Sequence, residues 1–207
     1  MNIRLLILFS LVLVVFGCKS STEPEPNYNF LPLSVGSQWS YIGDVPYTRK
    51  VIGDTAVNGK IYAVIEQDNF NPNNSPDRYL TKRNYYRKEG NVIYILRPDT
   101  MSVLKDFVYV NPSASASGSY YTITSIGDSE RRITHVTYSN TRQIFRDTID
   151  GKIYPNVILE HIKTEILFPR TNSIVIEGDY YFADGVGLAD QVVSPSGTEE
   201  LTDYQIK

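Results

Sequence analysis

The clearest fold signal in the sequence is a pair of alternating segments that reads YTRKVIGDTAVNGKIYAVIEQ from Tyr47 to Gln67. Apolar and polar residues alternate in Tyr47–Asp54 and again in Lys60–Gln67, which is the period of a strand with one buried face. Between them lies Asn58-Gly59, the dipeptide most typical of a two-residue hairpin turn, because both turn residues need a positive φ. This stretch therefore predicts two antiparallel strands joined by a tight turn.

The same pattern continues in both directions along the chain. The other candidate strands are Gln38–Ile42, Arg78–Arg87, Asn91–Arg97, Ser102–Val110, Tyr120–Ile126, Arg131–Ser139, Arg142–Ile149, Val157–Phe168, Asn172–Ala183, Leu188–Val193 and Thr198–Ile206. We expect roughly ten to thirteen strands in all, and no amphipathic helix from Tyr28 onward. The predicted fold class is all-β, a single antiparallel meander. Because so wide a sheet curls, it should form a strongly curved half-barrel or barrel.

Composition limits the classes of protein that this chain can belong to. Its 207 residues are 42% hydrophobic and 21% charged, which fits one ordinary globular domain. A formal net charge of -3 without a basic cluster argues against a nucleic-acid partner. The single cysteine excludes a disulfide framework and a multi-cysteine metal site, so we expect no metal. Gly185 and Gly187 are followed by neither a helix nor a Lys-Ser/Thr pair, so they do not form a phosphate loop, and we expect no cofactor.

The N-terminus has the pattern of a secretory signal. Arg4 gives the first residues a positive charge, and the apolar run Leu5–Phe16 follows. This run is shorter than the roughly 20 apolar residues needed to span a bilayer. Residues 1–17 are therefore predicted to be a cleaved signal peptide.

The residues at the end of that run, Val15-Phe16-Gly17-Cys18, resemble the bacterial lipobox. In lipobox proteins the cysteine thiol is diacylated, the preceding peptide bond is cut, and the new amino terminus is acylated with a chain such as palmitate. Several acyl chains, at about 0.8 kcal/mol per buried methylene, give stable membrane anchoring. The resemblance implies that Cys18 is the lipid attachment point and the contact with the membrane. Because Lys19 rather than Asp follows it, the resemblance also implies the outer membrane.

The next segment, residues 18–27, is rich in Ser, Pro and Glu and lacks a run of apolar residues. Such a composition cannot bury enough surface to offset the entropy of ordering, so we expect a lipidated flexible tether without regular structure from 19 to 27. Residues 28–207 then form a single β domain.

Two motifs in this domain resemble those of a family of bacterial envelope lipoproteins. The first is the opening Leu31–Tyr41, LPLSVGSQWSY, and the second is Tyr180–Leu188, YYFADGVGL, followed by a hairpin ending like Glu200–Tyr204. The resemblance covers about 28–207 apart from the middle of the domain. It implies a β-rich domain and no established activity.

Trp39 and the segment Gly185–Leu188 are predicted to meet. Trp39 lies in the first strand and Gly185–Leu188 begins the last hairpin, and these ends are the two edges that a curved sheet must join or cover. Glycines leave room for an indole, whose buried N–H needs an acceptor such as a carbonyl of this bend. We therefore expect Trp39 to be buried against the bend.

No catalytic constellation is evident in the sequence. His135 and His161 lie inside alternating strands without paired-ligand spacing, and there is no nucleophile elbow. The carboxylates that could form a glycosidase pair are Glu160, Glu165 and Glu177, which lie in apolar surroundings. Their positions in strands favour solvent-facing side chains. We therefore expect a protein that is not an enzyme, with a small hydrolase of envelope or environmental polymers as the alternative.

Tyrosine is the unusual component, with 16 residues. Six of them form doublets and are the candidate ligand-binding residues: Tyr85, Tyr86, Tyr120, Tyr121, Tyr180 and Tyr181. A doublet in a strand places one ring on each face of the sheet, where tyrosine serves as a cross-strand partner or as a recognition surface. The predicted function is thus a non-enzymatic binding or assembly module with a glycan, peptide or envelope-protein partner. A lipid carrier, which requires an apolar concave face, is a further alternative.

Overall fold

The structure is a computed structural model. It describes residues 26–43, 46–69, 82–112, 117–126, 130–167, 173–194 and 197–207. The predictions for the signal peptide, for Cys18 and for most of the tether lie outside these described residues. Among the described residues, no helix has the length and apolar character needed to cross a membrane.

Twelve antiparallel strands form one sheet, which confirms the all-β prediction. Their bounds are β1 Gln38–Ile42, β2 Tyr47–Val57, β3 Lys60–Asn69, β4 Lys82–Glu89, β5 Val92–Pro98, β6 Leu104–Val110, β7 Ser117–Ile126, β8 Glu130–Ile149, β9 Lys152–Leu167, β10 Ile174–Ala183, β11 Gly187–Ser194 and β12 Gly197–Gln205. The residues of these strands alternate between the core and solvent, as β-branched and aromatic residues do on a pleated sheet.

Several strand bounds differ from the sequence prediction, most of all in β7, β8 and β9. The segments 131–139 and 142–149 form one continuous strand, β8. A register shift against β9 between Asn140 and Ile144 lies where the sequence prediction separated the two segments. β7 begins at Ser117 rather than at the predicted Tyr120, and β9 begins at Lys152 rather than at the predicted Val157.

The predicted turn at Asn58-Gly59 is confirmed. Asn58 and Gly59 have φ of 51° and 75° and connect the paired residues Val57 and Lys60, as a two-residue turn of the mirror-image type requires. The register of the β2–β3 hairpin is fixed by this turn.

The order of strands in the sheet is β6-β5-β4-β3-β2-β1-β12-β11-β10-β9-β8-β7. The first and last strands therefore pair with each other, with Trp39 opposite Tyr204. The two edges of the sheet are β6 and β7, which follow each other in the chain. The sheet curls into a nearly closed barrel shape, so that the ring of Phe107 on β6 stacks on the ring of Tyr120 on β7 with centroids 4.4 Å apart. The first and last strands thus pair at the centre of the sheet, and the meander is interrupted between β6 and β7.

The segment 26–37 runs across one end of this barrel. The Asn29 N–H donates to Asp184 Oδ1 (2.6 Å), and the Gly185 N–H donates to the Asn29 carbonyl (2.9 Å). Phe30, which belongs to this segment, is 1% exposed. We call this end, at the β4–β5 and β10–β11 turns, the covered end. The far end is the opposite one, where β2 and β4 begin and β3 and β5 end.

Trp39 is buried against the segment that the sequence predicted. It is 1% exposed, and its Nε1–H donates to the Val186 carbonyl at 2.5 Å. A Cβ at Gly187 would lie 3.3 Å from Nε1, and this glycine has a φ of +111°, so the indole fits against a residue without a side chain. Tyr41 OH adds a hydrogen bond to the Leu188 carbonyl at 3.0 Å. The hydrophobic core lies within 28–206, so a chain that begins at Lys19 retains it.

Replacing Trp39 with alanine should lower the free energy of unfolding by about 3–5 kcal/mol, because a large cavity forms and the Val186 carbonyl loses its donor. Urea denaturation followed by circular dichroism measures this loss. The control is Tyr204→Ala, at the half-exposed register partner, for which we expect a loss below about 1 kcal/mol. Equal losses in the two variants would mean that the indole does not hold the sheet together.

Candidate functional site

A row of polar side chains lines the inner face of the sheet at the far end. Arg49 on β2 pairs in register with Gln67 on β3, and Gln67 pairs with Lys82 on β4. Alternation along β3 places Gln67 on the same face as Ile65, which is 2% exposed. By this alternation Arg49, which is partly buried, and Lys82, which is exposed at the start of β4, both lie on the inner face.

Arg97 joins this row from β5. It lies two residues after the buried Ile95 and so shares the inner face. Burial raises the pKa of Tyr86 above its usual range, and the charges of nearby Arg49 and Arg97 oppose that rise. Burial also raises the pKa of Tyr120 to about 12, again with Arg97 opposing. The Arg97 guanidinium is thus within electrostatic range of both tyrosines.

Arg49 is held by aromatic rings and an amide. Its Cζ lies 5.2 Å from the ring centroid of Tyr47 and 5.4 Å from that of Tyr41, and these two rings stack 4.7 Å apart. Its Nε–H donates to Gln67 Oε1 at 3.1 Å. Cation–π contacts and a neutral acceptor stabilise a guanidinium without neutralising its charge.

An aromatic layer continues from these residues across the interior. Ring centroids are 5.0 Å apart for Tyr86 and Tyr109, and 5.6 Å apart for Tyr109 and Phe182. The layer reaches the stacked Phe107 and Tyr120 at the seam between β6 and β7. The basic side chains therefore lie on a wall of tyrosine and phenylalanine rings, several with hydroxyl groups that can donate hydrogen bonds.

No described carboxylate forms an ion pair with Arg49, Lys82 or Arg97. Burial, and then the charges of Arg97 and Arg49, lower the pKa of Lys82. Three mutually repelling cations on an aromatic wall form a site that an anion would stabilise. We call Arg49, Lys82 and Arg97 the basic cluster.

On the outer face of the sheet, by contrast, a carboxylate pairs with nearby basic residues. There Asp106 accepts hydrogen bonds from Lys60 Nζ (2.7 Å), Arg87 Nη2 (2.7 Å) and Tyr62 OH (2.7 Å). The Arg87, Lys60 and Tyr62 hydrogen bonds hold the pKa of Asp106 down at about 2, although burial opposes them. Lys60 and Arg87 outside the barrel are thus paired with a carboxylate, whereas Arg49, Lys82 and Arg97 have no carboxylate partner among the described residues.

Glu160 on β9 lies on the inner face, and the prediction that it faces solvent is wrong. It pairs in register with Tyr180 and is 0% exposed. Its Oε1 accepts the Asn111 N–H at 3.2 Å, while its Oε2 has no hydrogen-bond partner among the described residues. Burial raises the pKa of Glu160 to about 7, with the Asn111 hydrogen bond opposing. Glu165 and Glu177 lie on the outer face, so the three carboxylates do not converge.

His161 lies on the outer face between two carboxylates. Its Nδ1 is 2.8 Å from Asp179 Oδ1 and its Nε2 is 2.9 Å from Glu177 Oε1. The Asp179 hydrogen bond, more than that of Glu177, raises the pKa of His161. Both ring nitrogens are engaged, so this histidine acts as an ion-pair partner. In the described part of the chain, no group of three or more His, Cys, Asp or Glu side chains is placed to hold a metal ion.

The tyrosine doublets divide between the faces, as alternation requires. By strand register, the inner members are Tyr86, Tyr120 and Tyr180 and the outer members are Tyr85, Tyr121 and Tyr181. They do not form one surface. Two of them, Tyr86 and Tyr120, lie beside the basic cluster.

Sequence reasoning missed the basic cluster and its neighbours Tyr41, Tyr47 and Tyr109. A signal was present, because Arg49 lies two residues before the buried Val51 and Arg97 lies two residues after the buried Ile95. A charge in the apolar phase of a strand indicates a residue aimed into the interior.

Replacing Glu160 with glutamine should change the pH dependence of the free energy of unfolding. In wild type the carboxyl pKa is about 7 in the fold against 4.5 in the unfolded chain. The folded state therefore holds the proton more tightly, and stability falls as pH rises from about 4.5 to about 7, by ~3 kcal/mol. Glu160→Gln should remove this fall and be the more stable protein at pH 8. Urea denaturation at several pH values measures it.

The control for this experiment is Glu165→Gln, on the outer face of the same strand, which should keep the wild-type pH profile. If Glu160→Gln also keeps that profile, the Glu160 carboxyl is not buried as described.

Comparison with solved structures shows the fold to be shared with another bacterial protein. A "putative lipoprotein" from Parabacteroides distasonis superimposes with a TM-score of 0.58 at 13% identity, covering 87% of this chain and 100% of that one. A "putative exported protein with YmcC-like fold" from Bacteroides fragilis gives a TM-score of 0.48 at 9% identity, covering 86% and 99%. No protein-family model matches the chain, and neither does any curated protein. The first likeness, at 13% identity, shows a shared β-sheet fold and nothing further.

Proposed function

We propose that this chain is a lipid-anchored protein of the bacterial cell envelope, at the outer membrane, and that it is a non-enzymatic binding module for an anionic ligand. One observation carries the binding proposal: Arg49, Lys82 and Arg97 converge on the inner face without a described carboxylate partner. A bound anion would supply the missing charge.

The chemistry of the wall favours an acidic glycan. Guanidinium groups bind carboxylate, phosphate and sulfate through paired hydrogen bonds, and two are available here. Tyrosine rings offer flat faces for sugar rings and hydroxyl groups for their oxygens. The cations and tyrosine hydroxyls at this end are a poorer fit to the apolar chain of a carried lipid.

The position of the tether is compatible with binding at this site. Cys18 precedes the segment that enters at the covered end, where Asn29 bonds Asp184 and Gly185. Lys82 begins β4 and Arg97 lies near the end of β5, so both are at the far end, whereas Arg49 lies opposite Trp39. Anchoring through Cys18 would thus leave the Lys82 and Arg97 side of the ligand site away from the entering segment.

Removing one inward charge should weaken binding of an acidic sugar. Arg49→Gln should bind oligogalacturonate at least about tenfold more weakly in isothermal titration calorimetry, because a charge-assisted hydrogen bond is lost. Wild-type binding should weaken with added salt. A neutral oligosaccharide of equal length is the ligand control.

The matched protein control is Lys50→Gln. Lys50 is the exposed neighbour of Arg49 on the same strand and points outward, so this variant loses the same net charge. Equal weakening in both variants would indicate a general charge effect and contradict the site. Equal affinity of wild type for the neutral and acidic sugars would contradict an anionic ligand.

Replacing Cys18 with serine should abolish lipid attachment, because Cys18 is the only thiol in the chain. Cells labelled with a radioactive fatty acid should yield a labelled wild-type protein and an unlabelled Cys18→Ser precursor of higher mass. A labelled Cys18→Ser protein would contradict the anchor.

A further inference from the structure

An asparagine inside the barrel has a polar atom for which the fold supplies no partner. Asn84 on β4 is 5% exposed, and its Oδ1 has no hydrogen-bond partner among the described residues. The large majority of buried polar groups in proteins are hydrogen-bonded, and a buried acceptor without a donor lowers stability. An asparagine at this position therefore needs an explanation other than packing.

Asn84 lies directly beside the basic cluster. It is two residues after Lys82, so the two residues share the inner face of β4 and are about 7 Å apart along the strand. Lys82 lies in one row with Gln67 and Arg49 across β3 and β2, and Asn84 lies in the next row toward the covered end. The unpartnered oxygen is thus one row deeper in the barrel than the cations.

The neighbours of Asn84 in its own row are apolar. Asn84 pairs in register with Ile65, which pairs with Val51, and these two residues are 2% and 0% exposed. The next inner-face residue of β4, Tyr86, is 5% exposed and closes the row from below. A leucine at position 84 would match these neighbours and leave no amide without a partner. The amide therefore adds a capacity for hydrogen bonding that the core itself does not use.

We propose that Asn84 accepts a hydrogen bond from a hydroxyl group of the ligand, and hence that the ligand is a hydroxylated acid of the sugar-acid class. This inference rests on the proposed function, in which the acid group of the ligand binds the basic cluster. An amide oxygen is an acceptor only, so it bonds to a hydroxyl group and not to a carboxylate. Asn84 is then the residue that distinguishes a sugar acid from an acid without hydroxyl groups, such as a fatty acid.

The route to the amide passes the row of the basic cluster. Lys82 is exposed, and its ammonium group is carried on a flexible stem of four carbons. Changes of side-chain rotamer of this kind are common when a surface binds its partner. An anion that draws Lys82 toward itself would open the way to Asn84, so that the acid group and the neighbouring hydroxyl are recognised together.

Replacing Asn84 with leucine should weaken binding of the hydroxylated acid. In chains that begin at Lys19, isothermal titration calorimetry should give a dissociation constant for oligogalacturonate that is at least about fivefold higher for Asn84→Leu than for wild type, because one hydrogen bond is lost. The matched control is Tyr85→Phe, which removes a hydroxyl group from the outer face of the same strand and should leave the affinity unchanged.

A ligand without hydroxyl groups separates the hydrogen bond from the charge. Oligoacrylate with the same number of carboxylates should bind wild type at least about fivefold more weakly than oligogalacturonate does, and should bind Asn84→Leu as it binds wild type. Equal affinity of wild type for the two polymers would overturn the assignment of a hydroxylated ligand.

Urea denaturation shows whether the amide has a structural role instead. Asn84→Leu should unfold at a urea concentration no lower than wild type, because an apolar side chain replaces an unpartnered amide beside Ile65. Asn84→Ala serves as the second variant for the binding measurement. A midpoint well below that of wild type in both variants would mean that the fold needs the amide, and would overturn the proposal.

The binding results also distinguish this inference from the proposed function. If Asn84→Leu and Asn84→Ala bind oligogalacturonate as tightly as wild type while Arg49→Gln binds it weakly, this inference is overturned and the anionic site stands. If wild type binds neither polymer, the proposed function is contradicted and this inference with it.

Discussion

The pairing of β1 with β12 is the constraint on which the rest of the structure depends. It joins residues from the two ends of the chain, with Trp39 opposite Tyr204, and the indole fixes the joint through its hydrogen bond to Val186. Closing so long a loop carries an entropic penalty that grows only slowly with length, so a few buried contacts offset much of it. Because the ends join here, the segment 26–37 covers one end of the barrel and the sheet edges fall at β6 and β7.

The far end follows from the same closure. Curling brings Arg49 on β2 and Arg97 on β5 within electrostatic reach of the same tyrosines, Tyr86 among them. In the interior, where the effective dielectric is low, cations without carboxylates interact strongly with an anion. Outside, Asp106 already neutralises Lys60 and Arg87. The basic residues of the inner face and those around Asp106 therefore differ in whether a described carboxylate pairs with them.

Local features were predictable from the sequence because they depend on neighbouring residues. The strands follow from alternation, and Asn58-Gly59 follows from the turn it forms. The buried Trp39 followed from reasoning about where the ends of a meander must meet. Glu160 was wrongly predicted to face solvent because Val157, Ile158 and Leu159 are all apolar. Alternation therefore does not show which residues of this strand face inward. The basic cluster was missed because the approach of Arg49 to Arg97 depends on the curvature of the sheet.

Amide hydrogen exchange across the joint between β1 and β12 tests the closure most directly. If this pairing holds the fold together, the slowest amides of Trp39 and Tyr41 should exchange only by global unfolding, with the same free energy as the slowest amides of β9 and β10. Exchange of β1 and β12 through a lower-energy opening, while β9 and β10 remain protected, would contradict it. The chain ends would then be an attachment to the sheet and not its joint.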